Sequence, residues 1–163
     1  MEIKKILVTL DFSEYAKETF NYSAKLAKIF GAEIIVANII NLRDVSAVAS
    51  VAAMGYGVDS EKYVRDIKNE RIRVFQEIIA DSIFSNDEPK LIFKVGHPVY
   101  DLLKIIVNEK VNMVVMGLKG RTDSESVLVG SVAEKIFRRC PVTVVSYRDE
   151  KSCKKLTERI DMS

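Results

Sequence analysis

The chain has 163 residues, 48% of them apolar, and its 25 Lys and Arg nearly balance 23 Asp and Glu. That length suits one domain with one core, and a near-neutral chain without a basic block argues against a nucleic-acid partner. No apolar stretch approaches membrane-spanning length, "MEIKKILVTLDFS" lacks a signal-peptide pattern, and Cys140 and Cys153 form neither a CxxC motif nor a His-paired zinc set. The expectation is a soluble cytoplasmic protein with reduced thiols, no metal site and no membrane partner.

The first β-branched run, Ile3–Leu10, reads as a strand. Ser13 can cap the helix that follows, in which Tyr15, Ala16, Thr19, Phe20, Ser23, Ala27 and Phe30 recur at three and four, with Gly31 ending it. Glu33–Ile40 is the second strand. Residues 41–59, "NLRDVSAVASVAAMGYGVD", break the alternation and read as a long loop insertion, the kind used for lids or contacts. Its "GYG" follows no strand and lacks a third glycine, so it reads as a hinge and not as a dinucleotide fingerprint.

A long helix from about Ser60 to Ser85 carries Val64, Ile67, Ile72, Phe75, Ile78 and Ile79 along its buried side. Leu91–Val95 is the third strand, and Pro98 opens a helix bearing Leu102, Leu103, Ile106 and Val107. His97, the one histidine, reads as a turn residue there, and Cys140 as a small apolar group. Val111–Met116 is the fourth strand, and Ser131 opens a helix with Val132, Ile136, Phe137 and Cys140 on one side. Val142–Tyr147 is the fifth strand, and residues 148–163 form a polar tail, read as a frayed extension.

Strand and helix thus alternate, and runs such as "IIVANII" and "MVVM" are apolar almost throughout, as in parallel strands covered on both faces. The fold class is α/β: an open, doubly wound five-stranded parallel sheet, order 3-2-1-4-5, with helices on both faces. Ligands in such sheets bind beyond the carboxyl ends of the strands where the winding reverses, here between strands one and four. The loops flanking that crevice begin at Leu10–Asp11–Phe12–Ser13 and at Gly117.

Gly117, Gly120 and Gly130 cluster after the fourth strand, in a chain with seven glycines. Gly117 leaves room beside the backbone, Gly120 permits a tight turn, and Gly130–Ser131 returns the chain to a helix start. Free N–H groups and a partial positive charge make such a start a seat for phosphate oxygens, with Lys119 and Arg121 as nearby cations. The same residues allow a plainer reading, because Ser131-Val-Ala-Glu134 is also a capping box.

The spacing Gly117-x2-Gly120-x9-Gly130-Ser131 resembles the ATP-binding signature of the universal stress protein family. "KKILVTLDFSEYAKETFNYSAKLAK", "VNMVVMGLKGR" and "GSVAEKIFRRCPVTVV" resemble that family's first strand and helix, its fourth strand and phosphate loop, and its last helix and strand. The resemblance implies a single nucleotide-binding domain over residues 1–147. It implies ATP, with Mg²⁺, between strands one and four. Asp11 would hold the ribose or adenine side and the Ile39 backbone would meet adenine. Met116 and Gly117 would lie beside the nucleotide, while Gly120, Arg121, Gly130, Ser131 and Val132 would surround the phosphates. It also implies a homodimer through Val142–Tyr147 and a regulatory role toward a protein client.

Departures from the family pattern are Thr9 and Leu10 where proline is frequent, Asp123 and Glu125 in the phosphate loop, and Asn112 where aspartate is common, the last read as a surface change. No residue is assigned a catalytic role. Asp11, Asp123 and Glu125 are the candidate acids, and no Walker lysine motif accompanies them, so any ATPase activity is expected to be slow. A structural homodimer with a silent nucleotide site is the other alternative. A receiver domain would need an acid beside Asp11, and a flavodoxin a phosphate loop after strand one; neither is present.

Overall fold

The strands β1 (Lys5–Thr9), β2 (Glu33–Asn41), β3 (Lys90–Gly96), β4 (Met113–Gly117) and β5 (Thr143–Tyr147) form one parallel sheet in the order β3-β2-β1-β4-β5. The computed structural model describes residues 2–83, 88–118 and 129–161. Central β1 pairs with both neighbours, Ile6 opposite Ile34 and Met113, Val8 opposite Val36 and Val115. Alternation along these strands sends Ile6, Val8, Leu10, Ile34 and Val36 to one face and Leu7, Ile35, Ala37, Val114 and Met116 to the other. Both sets are apolar because helices cover both faces.

Helices α1 (Ala16–Phe30) and α3 (Ser60–Ala80) cover the first face, with Phe20 and Phe75 meeting edge to face at 5.4 Å. Helices α4 (Pro98–Asn108) and α5 (Ser131–Arg139) cover the second through Leu102, Ile105, Ile106, Ala133 and Ile136. Phe20 and Ile136 are fully buried; truncating such a side chain to alanine typically costs about 2–5 kcal/mol. Gly31 ends α1 in the left-handed conformation (φ 61°), and its N–H and that of Ala32 both reach the Ala27 carbonyl. Cys140 packs against the second face, as a small apolar group would.

Several local expectations need correction. The segment 41–59 is not a loop throughout: it contains helix α2 (Leu42–Ala53), and the Asn41 side chain caps it by accepting the Arg43 N–H at 3.1 Å. The alanine-rich composition that resembles a flexible insertion also favours a helix. The tail likewise contains a helix, α6 (Glu150–Asp161), and Asp149 just before it accepts from the N–H and hydroxyl of Ser152. Ser13 does not cap α1; Tyr15 stands at the N-cap position and makes no side-chain capping bond, and the Ser13 carbonyl accepts from Ala16. The long helix stops at Ala80, five residues before Ser85, and starts after a capping Asp59. Asn112 is more than a surface change, because its Oδ1 accepts the backbone N–H groups of Lys4 (2.9 Å) and Lys5 (3.0 Å) and pins the start of β1 beside β4.

Candidate functional site

At the carboxyl end of β1 the sheet opens into a cleft of about 310 Å³. Asp11 comes from the loop after β1, Ile39 from late β2, Met116 and Gly117 from the end of β4, and Gly130, Ser131 and Val132 from the start of α5. The structure therefore brings together all of the sequence-derived site residues that it describes. Gly120 and Arg121 lie outside the described residues, as do Lys119, Asp123 and Glu125.

The end of β4 and the start of α5 are joined by a backbone bond from the Gly130 N–H to the Leu118 carbonyl at 2.7 Å. This bond sets α5 directly after β4 in space, although eleven residues separate Leu118 from Gly130 in the chain. Gly130 occupies the N-cap position with extended backbone and no side-chain cap bond, and Glu134 bonds through its N–H to the Gly130 carbonyl at 3.0 Å. The capping box therefore does not form: Ser131 is the first helical residue, and the Glu134 carboxylate pairs with Arg138 at 3.0 Å. The first-turn amides of Ser131, Val132 and Ala133 are those a helix leaves without intrahelical acceptors, and all three residues line the cleft. Such an end favours an anion.

The rest of the lining differs in character: Ala37, Ile39, Leu102 and Met116 are apolar, and Thr9 and the Asp11 carboxylate join them. One Asp11 oxygen accepts the Ser13 N–H at 3.1 Å, a local turn that orients the carboxylate. A cleft that combines apolar side chains, a carboxylate and helix-start amides has the chemistry to take a ligand with apolar, hydroxyl and anionic parts.

Asn41 and Asp44, at the start of α2, also line the cleft, as do Tyr15, Ala16 and Thr19 from the start of α1 and Pro98 from α4. Sequence reasoning missed Asn41 and Asp44 because it took the segment as a loop. The available signal was an Asn directly after an apolar strand, followed by Val45, Val48 and Ala52 at helical spacing. His97 is not among the lining residues and stands exposed before α4.

The profile of the universal stress protein family matches residues 2–148. The chain belongs to the universal stress protein family. Universal stress protein MJ0577 of Methanocaldococcus jannaschii is 28% identical over 160 residues, covering 90% of this chain and 96% of its own length. The solved structure of MJ0577 superposes with a TM-score of 0.74 at 24% identity, covering 92% of this chain and 99% of that one. A crystal structure of a universal stress protein in complex with cAMP shares the fold, with a TM-score of 0.53 at 19% identity and coverage of 91% and 98%. The family's α/β architecture is the sheet order and helix arrangement described above. Among the described residues, no helix is long and apolar enough to cross a membrane.

Proposed function

We propose that this universal stress protein binds ATP in the cleft between β1 and β4 and acts as a cytoplasmic, nucleotide-dependent regulator of a protein client. One observation carries the reading. Asp11, Ile39, Met116, Gly117, Gly130, Ser131 and Val132, singled out by the glycine signature and the strand ends, line a single cleft. Asp11 accepts hydrogen bonds from ribose hydroxyls, the Ile39 backbone meets adenine, and Met116 and Gly117 flank the nucleotide. The Gly130–Val132 turn, with Gly120 and Arg121 by family signature, takes the phosphates.

The cleft suits holding a nucleotide better than turning it over. Its described lining contains Asp11 and Asp44 as carboxylates and no Lys, Arg or His. Asp123 and Glu125, the acids that would recruit Mg²⁺ to the phosphates, lie outside the described residues. With no Walker lysine motif in the sequence, hydrolysis is expected in the range of unassisted small GTPases, below about 10⁻³ per second.

The test begins with the purified protein, denatured and analysed for bound nucleotide, and continues with titrations of ATP, ADP and cAMP. Gly130→Val places a branched side chain at the phosphate turn and abolishes ATP binding while circular dichroism stays native. Asp11→Ala weakens ATP and ADP to similar degrees, because both share adenine and ribose. Undiminished ATP affinity in folded Gly130→Val would overturn the phosphate assignment, and several turnovers per second in a labelled-ATP assay would make the protein an ATPase.

A further inference from the structure

Asn38 lines the cleft but turns its amide toward the protein. It lies on the α1/α3 face of β2, two residues beyond Val36, and is 3% exposed. Its Nδ2 donates to the Leu10 carbonyl, and its Oδ1 accepts from Nη1 of Arg71, a residue of α3 that is itself 6% exposed. A buried guanidinium is tolerated only where hydrogen bonds replace its water. Burying polar groups is a weak source of stability even where they are paired, and these two bonds lead to one place, the Leu10 carbonyl.

The Leu10 carbonyl belongs to the peptide that leads into Asp11. The Leu10 N–H is already bonded to the Ala37 carbonyl at 3.1 Å, so β2 grips Leu10 through both of its backbone polar groups. On the other side of Asp11, Phe12 has left-handed backbone (φ 59°), which costs a non-glycine residue on the order of 1 kcal/mol or more. Its ring is stacked on Phe93 at 6.2 Å and meets Phe75 edge-on at 6.4 Å. Phe75 lies one helical turn after Arg71 on α3. One face of α3 thus holds residue 10 through a polar tether and residue 12 through an aromatic clamp, with Asp11 between them.

We propose that Arg71 is a positioning residue for Asp11, acting through Asn38 and the Leu10 carbonyl. Its consequence for affinity rests on the nucleotide reading above; its consequence for Asp11 geometry does not. The tether couples α3 to the nucleoside end of the cleft. Removing it frees the Leu10–Asp11 peptide to rotate and takes the carboxylate away from its ligand.

Arg71→Met and Asn38→Asp test this separately. The first removes the guanidinium, and the second keeps a partner for Arg71 but cannot donate to Leu10. In each folded variant ATP affinity falls roughly tenfold, as expected for residues in one hydrogen-bonded network, and falls no further in an Asp11→Ala background. A purely structural role would give the same loss in both backgrounds, and that result, or no loss, would overturn the proposal. The Ser13 amide resonance, which reports the bond to Asp11, gives a readout independent of nucleotide. It shifts in Arg71→Met and Asn38→Asp. If the wild-type protein does not bind ATP, the nucleotide reading fails, and this resonance alone decides the positioning role: an unchanged signal rejects it.

Discussion

Asp101, 5% exposed near the start of α4, has Lys94 Nζ 2.6 Å from one carboxylate oxygen and the His97 N–H 2.7 Å from the other. The hydrogen bond from Lys94, with the His97 N–H adding to it against the cost of burial, holds its carboxyl below the usual aspartate range. A lowered folded value stabilises the fold above the ordinary aspartate pKa and loses that contribution as pH falls through the folded value. Asp101→Asn is therefore expected to lower stability at neutral pH and to flatten the acid limb of a denaturation series run from pH 6 downward. An acid limb as steep as wild type would show that Asp101 contributes no such linkage. Gly96 belongs to the same arrangement: a Cβ there would lie 2.0 Å from Asp101 Oδ2. Gly96→Ala must displace the carboxylate from the His97 N–H and is expected to cost about 1–3 kcal/mol in urea denaturation. His97 thus serves the start of α4 through its backbone, in keeping with a turn residue.

Helix α2 is held differently from α1, α3, α4 and α5, since none of its residues is buried and its support comes from half-buried Val45, Val48 and Ala52 together with the Asn41 cap. Asn41→Ala removes that cap, a change worth about 1 kcal/mol. Because α2 contributes little to the core, the loss is expected to appear as local opening. Hydrogen exchange should show α2 amides losing protection while β2 keeps its own and the melting temperature moves little. A uniform loss across β1, β2 and β4 would mean that α2 is part of the global unfolding unit. The helix was hidden in the sequence because Ala, Val, Ser and Gly in one segment read as a flexible composition, while its apolar spacing spans barely two turns.

β5 is an edge of the sheet, and "VTVVSY" carries no charge, proline or glycine to blunt it. Thr143 and Ser146 are exposed and Val144 and Val145 half-buried, a surface that favours pairing with another strand. We propose a homodimer through antiparallel pairing of β5, consistent with the family resemblance. Val144→Pro removes a ladder donor and is expected to give monomers at micromolar concentration in sedimentation velocity. A variant that remains dimeric would move the interface to the apolar side chains exposed around α2, among them Val51, Met54 and Tyr56.

Strand identity, strand order and the place of the cleft were legible from residues alone, because each rests on local pattern or on a topological rule. Parallel strands buried on both faces announce themselves as unbroken apolar runs such as Ile34–Ala37 and Val114–Met116, and right-handed crossovers leave few orders for them. Gly117, Gly130 and Ser131 were legible as cleft-lining residues because they stand where β4 ends and α5 begins, beside the place where the winding reverses. Gly130, not Ser131, taking the N-cap position was not legible, since either residue suits it and the Gly130–Leu118 bond decides. Nor was the support beneath Asp11. Arg71 and Asn38 are 33 residues apart and meet only when α3 packs across β2, and Phe12 adopts its left-handed backbone where Phe75 and Phe93 receive its ring. Periodicity records which face of an element is covered, but the partner of a buried polar group is set by packing between elements distant in the chain.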